Sequence, residues 1–285
     1  MKKKKCKIWY LLILIMFITL FFVYSILFNK SFILSYYEIK SGFSENVRIV
    51  HLTDLHNYLF GKNNTKLIKQ VLDESPDIVV MTGDMINENE EDLSVILSLI
   101  RELNKSVPVY YSFGNDETIY EREFQNDLTY QLEEAGAVVL NYNYLDIVVR
   151  NQLIRIGGYY GYYRTPHMDT SDQDKRNAMN EFCDSFENTD TFKLLLSHIP
   201  TTWLDWNRID DFPVDLVLCG HYHGGQIRIP FIGGLYAPNV GWLPKYTKGL
   251  FIGKSATCVL SAGLGTEGFP PRINNPPEIV IIDLK

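Results

Sequence analysis

The sequence is poor in cysteine, and its four cysteines (Cys6, Cys183, Cys219 and Cys258) form no C-x-x-C pair. That spacing indicates neither a zinc knuckle nor a dithiol redox pair. Cys219 and Cys258 fall in apolar runs and read as small buried hydrophobes. An outward-facing domain is compatible with disulfides, but no pairing is predicted. Internal repeats are absent, as is any low-complexity tract beyond the N-terminal lysines. Acid is missing from residues 1–30, which carry six lysines. Positive charge is then scarce: residues 31–285 hold 21 Lys and Arg against 34 Asp and Glu, a net charge near −13. Nucleic-acid binders usually show a basic face, so no nucleic-acid partner is expected.

What the chain does have is one long apolar run. Ile8 to Phe28 carries no charge and follows Lys2–Lys5 and Lys7. At ~1.5 Å per residue such a run crosses a bilayer as a helix. Trp9, Tyr10 and Tyr24 sit near its ends, where aromatic belts form. No small-x-small cleavage site or twin arginine follows, so the reading is an uncleaved single-pass anchor in the cell membrane. The lysines then stay cytoplasmic and the rest faces outward. Residues 1–30 are the basic head and anchor, 31–46 a stalk, and 47–285 the working domain.

From Val47 the pattern alternates strand and helix. Strands are expected at Val47–Leu52, Asp77–Thr82, Val107–Phe113, Phe192–Ser197 and Val214–Cys219. Helices are expected around Asn64–Asp73, Asp92–Leu103, Glu121–Ala135 and Asp172–Phe186. Two or three strands fall between Ala137 and Tyr159. Beyond Gln226 short strands separated by Gly and Pro end with Glu278–Leu284. Early alternation followed by β-rich sequence indicates an α/β domain with mixed sheets.

Polar residues recur where the strands end, the place α/β folds use for ligands. Asp54-Leu55-His56 follows the first strand, Gly83-Asp84 the second and Gly114-Asn115-Asp116-Glu117 the third. His198 follows the next, and Gly220-His221-Tyr222-His223 the one after. Singly, each has an ordinary explanation as a cap, a turn or a structural histidine. Five in succession point to one site. In extended backbone His221 and His223 face one side. Imidazole and carboxylate without thiolate suit Mn, Fe or Zn. Seven such donors exceed one ion and fit two ions sharing a carboxylate. Paired ions about 3.5–4 Å apart serve in-line displacement at phosphorus.

In order, Asp54-x-His56, Gly83-Asp84, Gly114-Asn115, His198 and Gly220-His221-x-His223 resemble the signature of the calcineurin-like metallophosphoesterases. Gly224-Gly225-Gln226-Ile227-Arg228-Ile229-Pro230, Gly234-Leu235-Tyr236 and Arg272-Ile273-Asn274 with Pro276-Pro277-Glu278 are similar to the bacterial membrane-associated phosphodiesterase branch, often compared with UDP-diacylglucosamine pyrophosphohydrolases. The resemblance implies a sandwich of two mixed β-sheets flanked by helices. It assigns Asp54, His56 and His223 to one divalent ion, Asn115, His198 and His221 to the other, and Asp84 to both. It further implies that a hydroxide bridging the ions attacks phosphorus. Gln226, Arg272 and Asn274 become candidate substrate contacts.

One block departs from the family. The resemblance places a histidine, a contact to the substrate phosphoryl group, where this chain has Asp116, followed by Glu117. An ionised aspartate only accepts hydrogen bonds, and loss of a proton-transfer partner costs about 10²–10⁴ in rate. Asp116 and Glu117 are therefore the candidate catalytic pair. His167 is a candidate stand-in, and His51 reads as a strand histidine. The tyrosine-rich stretch Tyr159-Tyr160-Gly161-Tyr162-Tyr163 suits either a cover over the site or packing on a sheet. The alternative to a membrane-anchored phosphoester hydrolase is a metal-loaded but weakly catalytic binding module. A nuclease of the same superfamily fits the acidic domain poorly.

Overall fold

The computed structural model describes residues 9–10, 12–17, 19–21, 23–24, 31–125, 127–266 and 270–285. The expected membrane span falls partly outside these. Its described residues are helical and exposed. Among the described residues no helix is long and apolar enough to cross a membrane.

Two six-stranded mixed sheets stack face to face. The first runs β1 (Ile33–Ile39), β16 (Glu278–Leu284), β2 (Val47–Leu52), β3 (Ile78–Met81), β4 (Val109–Tyr111) and β5 (Ala137–Val139). Only the β16–β2 pairing is antiparallel there. The second runs β14 (Gly249–Ile252), β15 (Thr257–Leu260), β9 (Leu216–Cys219), β8 (Phe192–Leu196), β7 (Gln152–Gly158) and β6 (Asn143–Val149). Its outer pairs are antiparallel and its centre parallel.

Strand alternation builds the layers. Along β3, Ile78 and Val80 join the core between the sheets, with Ile49, Ile154, Leu194 and Leu218. Val79 and Met81 point the other way, to the helices α1 (Thr65–Asp73), α2 (Ser94–Asn104), α3 (Asn115–Phe124) and α4 (Leu128–Glu134). The helix α5 (Gln173–Glu187) covers the far face of the second sheet with Met179, Phe182, Cys183 and Phe186. That spacing puts one apolar stripe on the helix, and Asp172 caps it by accepting from Asp174 N at 2.9 Å. Each fully buried Val, Ile or Leu between the sheets contributes about 1.5–3 kcal/mol relative to exposure. The result is the expected sandwich of mixed sheets flanked by helices.

Three sequence expectations change. Residues 33–39, read as stalk, form β1. Ile-Leu-Ser-Tyr-Tyr-Glu-Ile is rich in strand formers and pairs in register with β16, Ile33 opposite Glu278 and Ile39 opposite Leu284. The single helix expected at Glu121–Ala135 is two. Gln125 turns left-handed (φ 51°) and ends α3, and Asp127 then caps α4 through Tyr130 N at 2.9 Å. The helix before that break also starts earlier than expected, directly after β4 at Asn115. Cys219 and Cys258 are buried free thiols, as their apolar runs implied.

Two small hairpins interrupt the second half of the chain. Strand β10 (Arg228–Ile229) pairs with β11 (Gly233–Gly234), and β12 (Tyr236–Ala237) with β13 (Gly241–Trp242).

Candidate metal centre

The five loops leave the strands at one end of the sandwich. The C-terminal ends of β2, β3 and β4 lie side by side in parallel register and deliver Asp54, His56, Asp84, Asn115 and Asp116. The neighbouring ends of β8 and β9 deliver His198, His221 and His223. Two glycines allow the close approach. A Cβ on Gly83 would stand 2.0 Å from Gly114 N, and one on Gly220 would stand 2.3 Å from Asp54 Oδ2. Asp54, His56, Asp84, His221 and His223 have φ between 46° and 72°. Five of the seven expected ligands thus adopt a left-handed backbone that non-glycine residues rarely take. Such strain persists only where surrounding structure over-determines it, and it concentrates at functional sites.

Three overlapping donor groups result: Asp54 with His56 and His223; Asp84 with His198 and His221; and His56 with Asp84 and Asp116. Within each, the ligand atoms lie within 4.8 Å of one another and all are buried. Inside these groups histidine nitrogens and carboxylate oxygens meet in close buried pairs. His198 Nδ1 donates to Thr82 O at 2.7 Å, so Nε2 is the nitrogen it offers a cation once that nitrogen loses its proton. That Nε2 is 3.0 Å from Asp84 Oδ2, yet it has no hydrogen-bond partner. His56 Nδ1 is 3.2 Å from Asp116 Oδ2, and both atoms also lack partners. Two donors about 2.0–2.2 Å from one ion, 90–110° apart, would be separated by roughly 3.0–3.5 Å. Histidine and carboxylate atoms held at that spacing fit ligands of a shared cation that takes the place of a proton. His56 Nε2, His223 Nδ1 and Asn115 Oδ1 are likewise buried and unpartnered. Asn115 Nδ2 donates to Asp116 Oδ1 at 2.7 Å, so its carbonyl oxygen is the atom left for the cluster.

The field at the site favours positive charge. Burial alone would lower His56, but Asp116, Asp84 and Asp54 lift it to about 9. His198 rises to about 10 against its burial because Asp84 faces it. Burial pushes Asp84 up to about 6, opposed by His198. His221 and His223 are driven well below the usual histidine range, first by burial and then by the neighbouring cations. A divalent cation would displace the protons that this field otherwise holds.

The other candidates take supporting places. Glu117 is buried and accepts from Asp84 N at 2.8 Å, Met85 N at 2.9 Å, Gly114 N at 2.7 Å and Tyr111 Oη at 2.6 Å. Both its oxygens are taken up by these four donors and clamp the two loops together. Arg272 is buried and donates from Nε to Gly265 O at 2.6 Å and from a terminal nitrogen to Ala262 O. It fastens the turn that covers Asp54, whose carbonyl receives Gly265 N at 2.6 Å. Asn274 Nδ2 donates to Arg228 O at 3.1 Å, and buried Gln226 accepts from Thr266 Oγ1 at 3.3 Å. His51 faces the sandwich interior, bonded to Thr82 Oγ1 at 2.7 Å. His167 stands exposed on a 3-10 turn. Of the tyrosine run, Tyr159 and Tyr163 pack under α5. Tyr160 lines a cleft of about 670 Å³ that also meets Thr118 on α3 and Lys175 on α5.

Sequence reasoning missed Asn239. Its side-chain amide lies 2.8 Å from His221 Nε2; with the amide turned to present Oδ1, Nε2–H donates to it and Nδ1 is the nitrogen His221 offers a cation. It also missed Asn275, which holds His223 O at 2.6 Å and Gln226 O at 3.2 Å. Neither belongs to a motif, so no sequence signal marked them.

Two stacked mixed sheets with imidazole and carboxylate donors for two cations at their common edge define a class: the metal-dependent hydrolases of phosphoester bonds. The chain belongs to the calcineurin-like phosphoesterase family, which residues 47–225 match. It is 32% identical over 267 residues to an uncharacterized metallophosphoesterase of Campylobacter jejuni, covering 87% of this chain and 63% of that one. It is 31% identical over 246 residues to an uncharacterized metallophosphoesterase of Aquifex aeolicus, covering 84% and 85%. With the phosphodiesterase YaeI of Escherichia coli it shares 24% identity over 244 residues, covering 83% and 82%. The chain thus spans less than two thirds of the Campylobacter relative and most of the other two. Its fold is also similar to a 5'-nucleotidase precursor from Thermus thermophilus, at TM-score 0.50 and 14% identity over 84% of this chain and 54% of that one.

Proposed function

We propose that the protein is a two-metal hydrolase of phosphodiester or pyrophosphate bonds, anchored in the cell membrane by residues 8–28 with its domain outside the cytoplasm. Its substrate is a membrane lipid, a nucleotide-linked lipid or an envelope phosphodiester. The observation that carries the chemistry is the convergence of buried histidine and carboxylate donors, with His198–Asp84 and His56–Asp116 at 3.0 and 3.2 Å. The apolar run supports the anchor, and the YaeI relative's name supports the diester preference.

Asp54, His56 and His223 would hold one ion, Asn115, His198 and His221 the other, with Asp84 between them. Bound there, two divalent ions supply Lewis acidity and lower the pKa of water. The chain's own residues do the rest. Thr82 O accepts from His198 Nδ1, which orients that ring and raises its basicity as a ligand, and the Asn239 amide orients the ring of His221. Glu117 sets the spacing of the Asp84 and Gly114 loops. Asp116 adds its carboxylate to the donor set beside His56. That placement gives the chain no imidazole to protonate a departing oxygen, so the reaction favours leaving groups that depart as anions.

The test is turnover of an activated aryl phosphodiester by the purified full chain in detergent with Mn²⁺. Asp84→Asn should abolish it. Full metal occupancy without turnover would instead favour the second reading, a metal-loaded binding module, which Asp116 motivates.

A further inference from the structure

We propose that the edge of the molecule bearing the metal centre docks on a lipid surface through the β10–β11 and β12–β13 hairpins. The choice of a lipid occupant rests on the membrane reading of the function above. The docking surface itself comes from three separate observations.

The first is where the chain enters the fold. Strand β2 delivers Asp54 at its C-terminal end. Strand β16 is antiparallel to β2, with Val280 opposite His51, and β1 is parallel to β16, with Ile33 opposite Glu278. The start of β1 therefore lies at the end of the sheet where the metal loops lie. Ile33 N donates to Pro277 O at 2.8 Å, two residues from the Asn275 that holds His223. An anchor over residues 8–28 would thus join the domain on the site's own edge.

The second is an exposed apolar surface beside the site. Ile232, Trp242 and Leu243 are 65%, 65% and 69% exposed, and Phe231 is fully so. These residues occupy the two hairpins, which share the segment Gly233–Ala237. That segment is tied to the metal loop by Leu235 N donating to Gly225 O at 3.0 Å. Asn239, in the turn of the second hairpin, holds His221. Large apolar side chains exposed together on neighbouring hairpins beside a site are a feature of surfaces that meet a partner.

The third is charge. In a domain with net charge near −13, residues 216–253 contain no Asp or Glu and three cations, Arg228, Lys245 and Lys248. Lys248 pairs with Glu278 at 3.2 Å, while Lys245 is exposed. Tryptophan, aliphatic tips and lysine without acid is the composition of segments that lie in a membrane interface. A protein partner would be equally served by mixed charge; a bilayer with anionic headgroups would not.

Docked this way, the site would face headgroup phosphates directly, and a lipid-linked phosphoester would reach it without leaving the bilayer. The test uses the full chain reconstituted in phosphatidylcholine–phosphatidylglycerol vesicles with brominated acyl chains. The tryptophan emission lost in W242F isolates Trp242, and that lost in W9F isolates Trp9. Bromine should quench both signals, and acrylamide should reach Trp242 less in vesicles than in detergent-free buffer. Replacing Phe231 and Leu243 together by Ser should lower Trp242 quenching at least twofold while leaving turnover of a soluble aryl diester unchanged. Quenching of Trp9 with Trp242 left open to acrylamide overturns the docking and keeps the anchor. Quenching of neither overturns both. A Trp242 signal shielded from bromine and acrylamide alike marks contact with protein and also overturns the docking.

Discussion

Asp116 Oδ2 stands 3.2 Å from His56 Nδ1, off the axis a hydrogen bond would need. Its other oxygen is held by Asn115 Nδ2, and its backbone N–H donates to Asp84 Oδ1 at 2.9 Å. The carboxylate is thus fixed from two sides with one oxygen aimed at the donor cluster. Oxygen donors favour harder ions than imidazole does. Asp116→His should therefore lower Mn²⁺ affinity at least tenfold relative to Zn²⁺, measured by calorimetry on both metals. Parallel loss for the two metals would mean that Asp116 only orients His56.

Glu117→Gln separates a clamp from a catalyst. The amide keeps one acceptor oxygen and turns its NH₂ toward backbone N–H groups that need an acceptor. Leaving buried donors unpaired costs about 1–3 kcal/mol each, more at a charged partner. The variant should lose about 2–4 kcal/mol in denaturant unfolding, with metal affinity falling as the Asp84 loop loosens. Wild-type stability with a large drop in turnover would instead restore Glu117 as a reacting group.

Acid should weaken the fold through His51. Burial and the cation at His198 lower it from 6.5 to about 3. The unfolded chain binds this proton below pH 6.5 and the native one does not until about 3. The contribution is fully present above pH 6.5 and fades as pH falls toward 3, by about 1.4 kcal/mol per unit. His51→Asn should flatten the fall in stability between pH 6.5 and 4.5, read from urea melts. An unchanged slope would show that His51 does not titrate across that range.

Asn239→Ala removes the partner of His221 Nε2. Partners of this type are worth about 10–100-fold in metal affinity. One of two binding steps should weaken by that factor in a metal titration while the other stays. Equal weakening of both steps would place Asn239 outside the His221 site.

The architecture was legible because its signals are local. Runs such as Ile78–Met81 are short, branched and bounded by turns, and each polar block follows a strand directly, so spacing gathered the five blocks and the family resemblance picked Asp54, His56, Asp84, Asn115, His198, His221 and His223 from them. The rest depends on tertiary contact. Gln125 breaks a helix whose apolar pattern continues past it. Strand β1 carries strand-forming residues, but its partner β16 lies at the far end of the chain, so local sequence does not show where it pairs. Glu117 and Arg272 are polar residues near motifs, and nothing in their spacing separates a group facing a phosphate from one fastening a loop. Asn239 and Asn275 reach the site from irregular segments that carry no pattern.

The central claim is that two ions share Asp84. The direct measurement is metal content together with electron paramagnetic resonance of the Mn²⁺-loaded chain. Two ions about 3.5–4 Å apart should give two Mn²⁺ per chain and a spin-coupled spectrum, with Asp84→Asn losing the coupling. One ion per chain, or an isolated six-line Mn²⁺ signal at full loading, would contradict it.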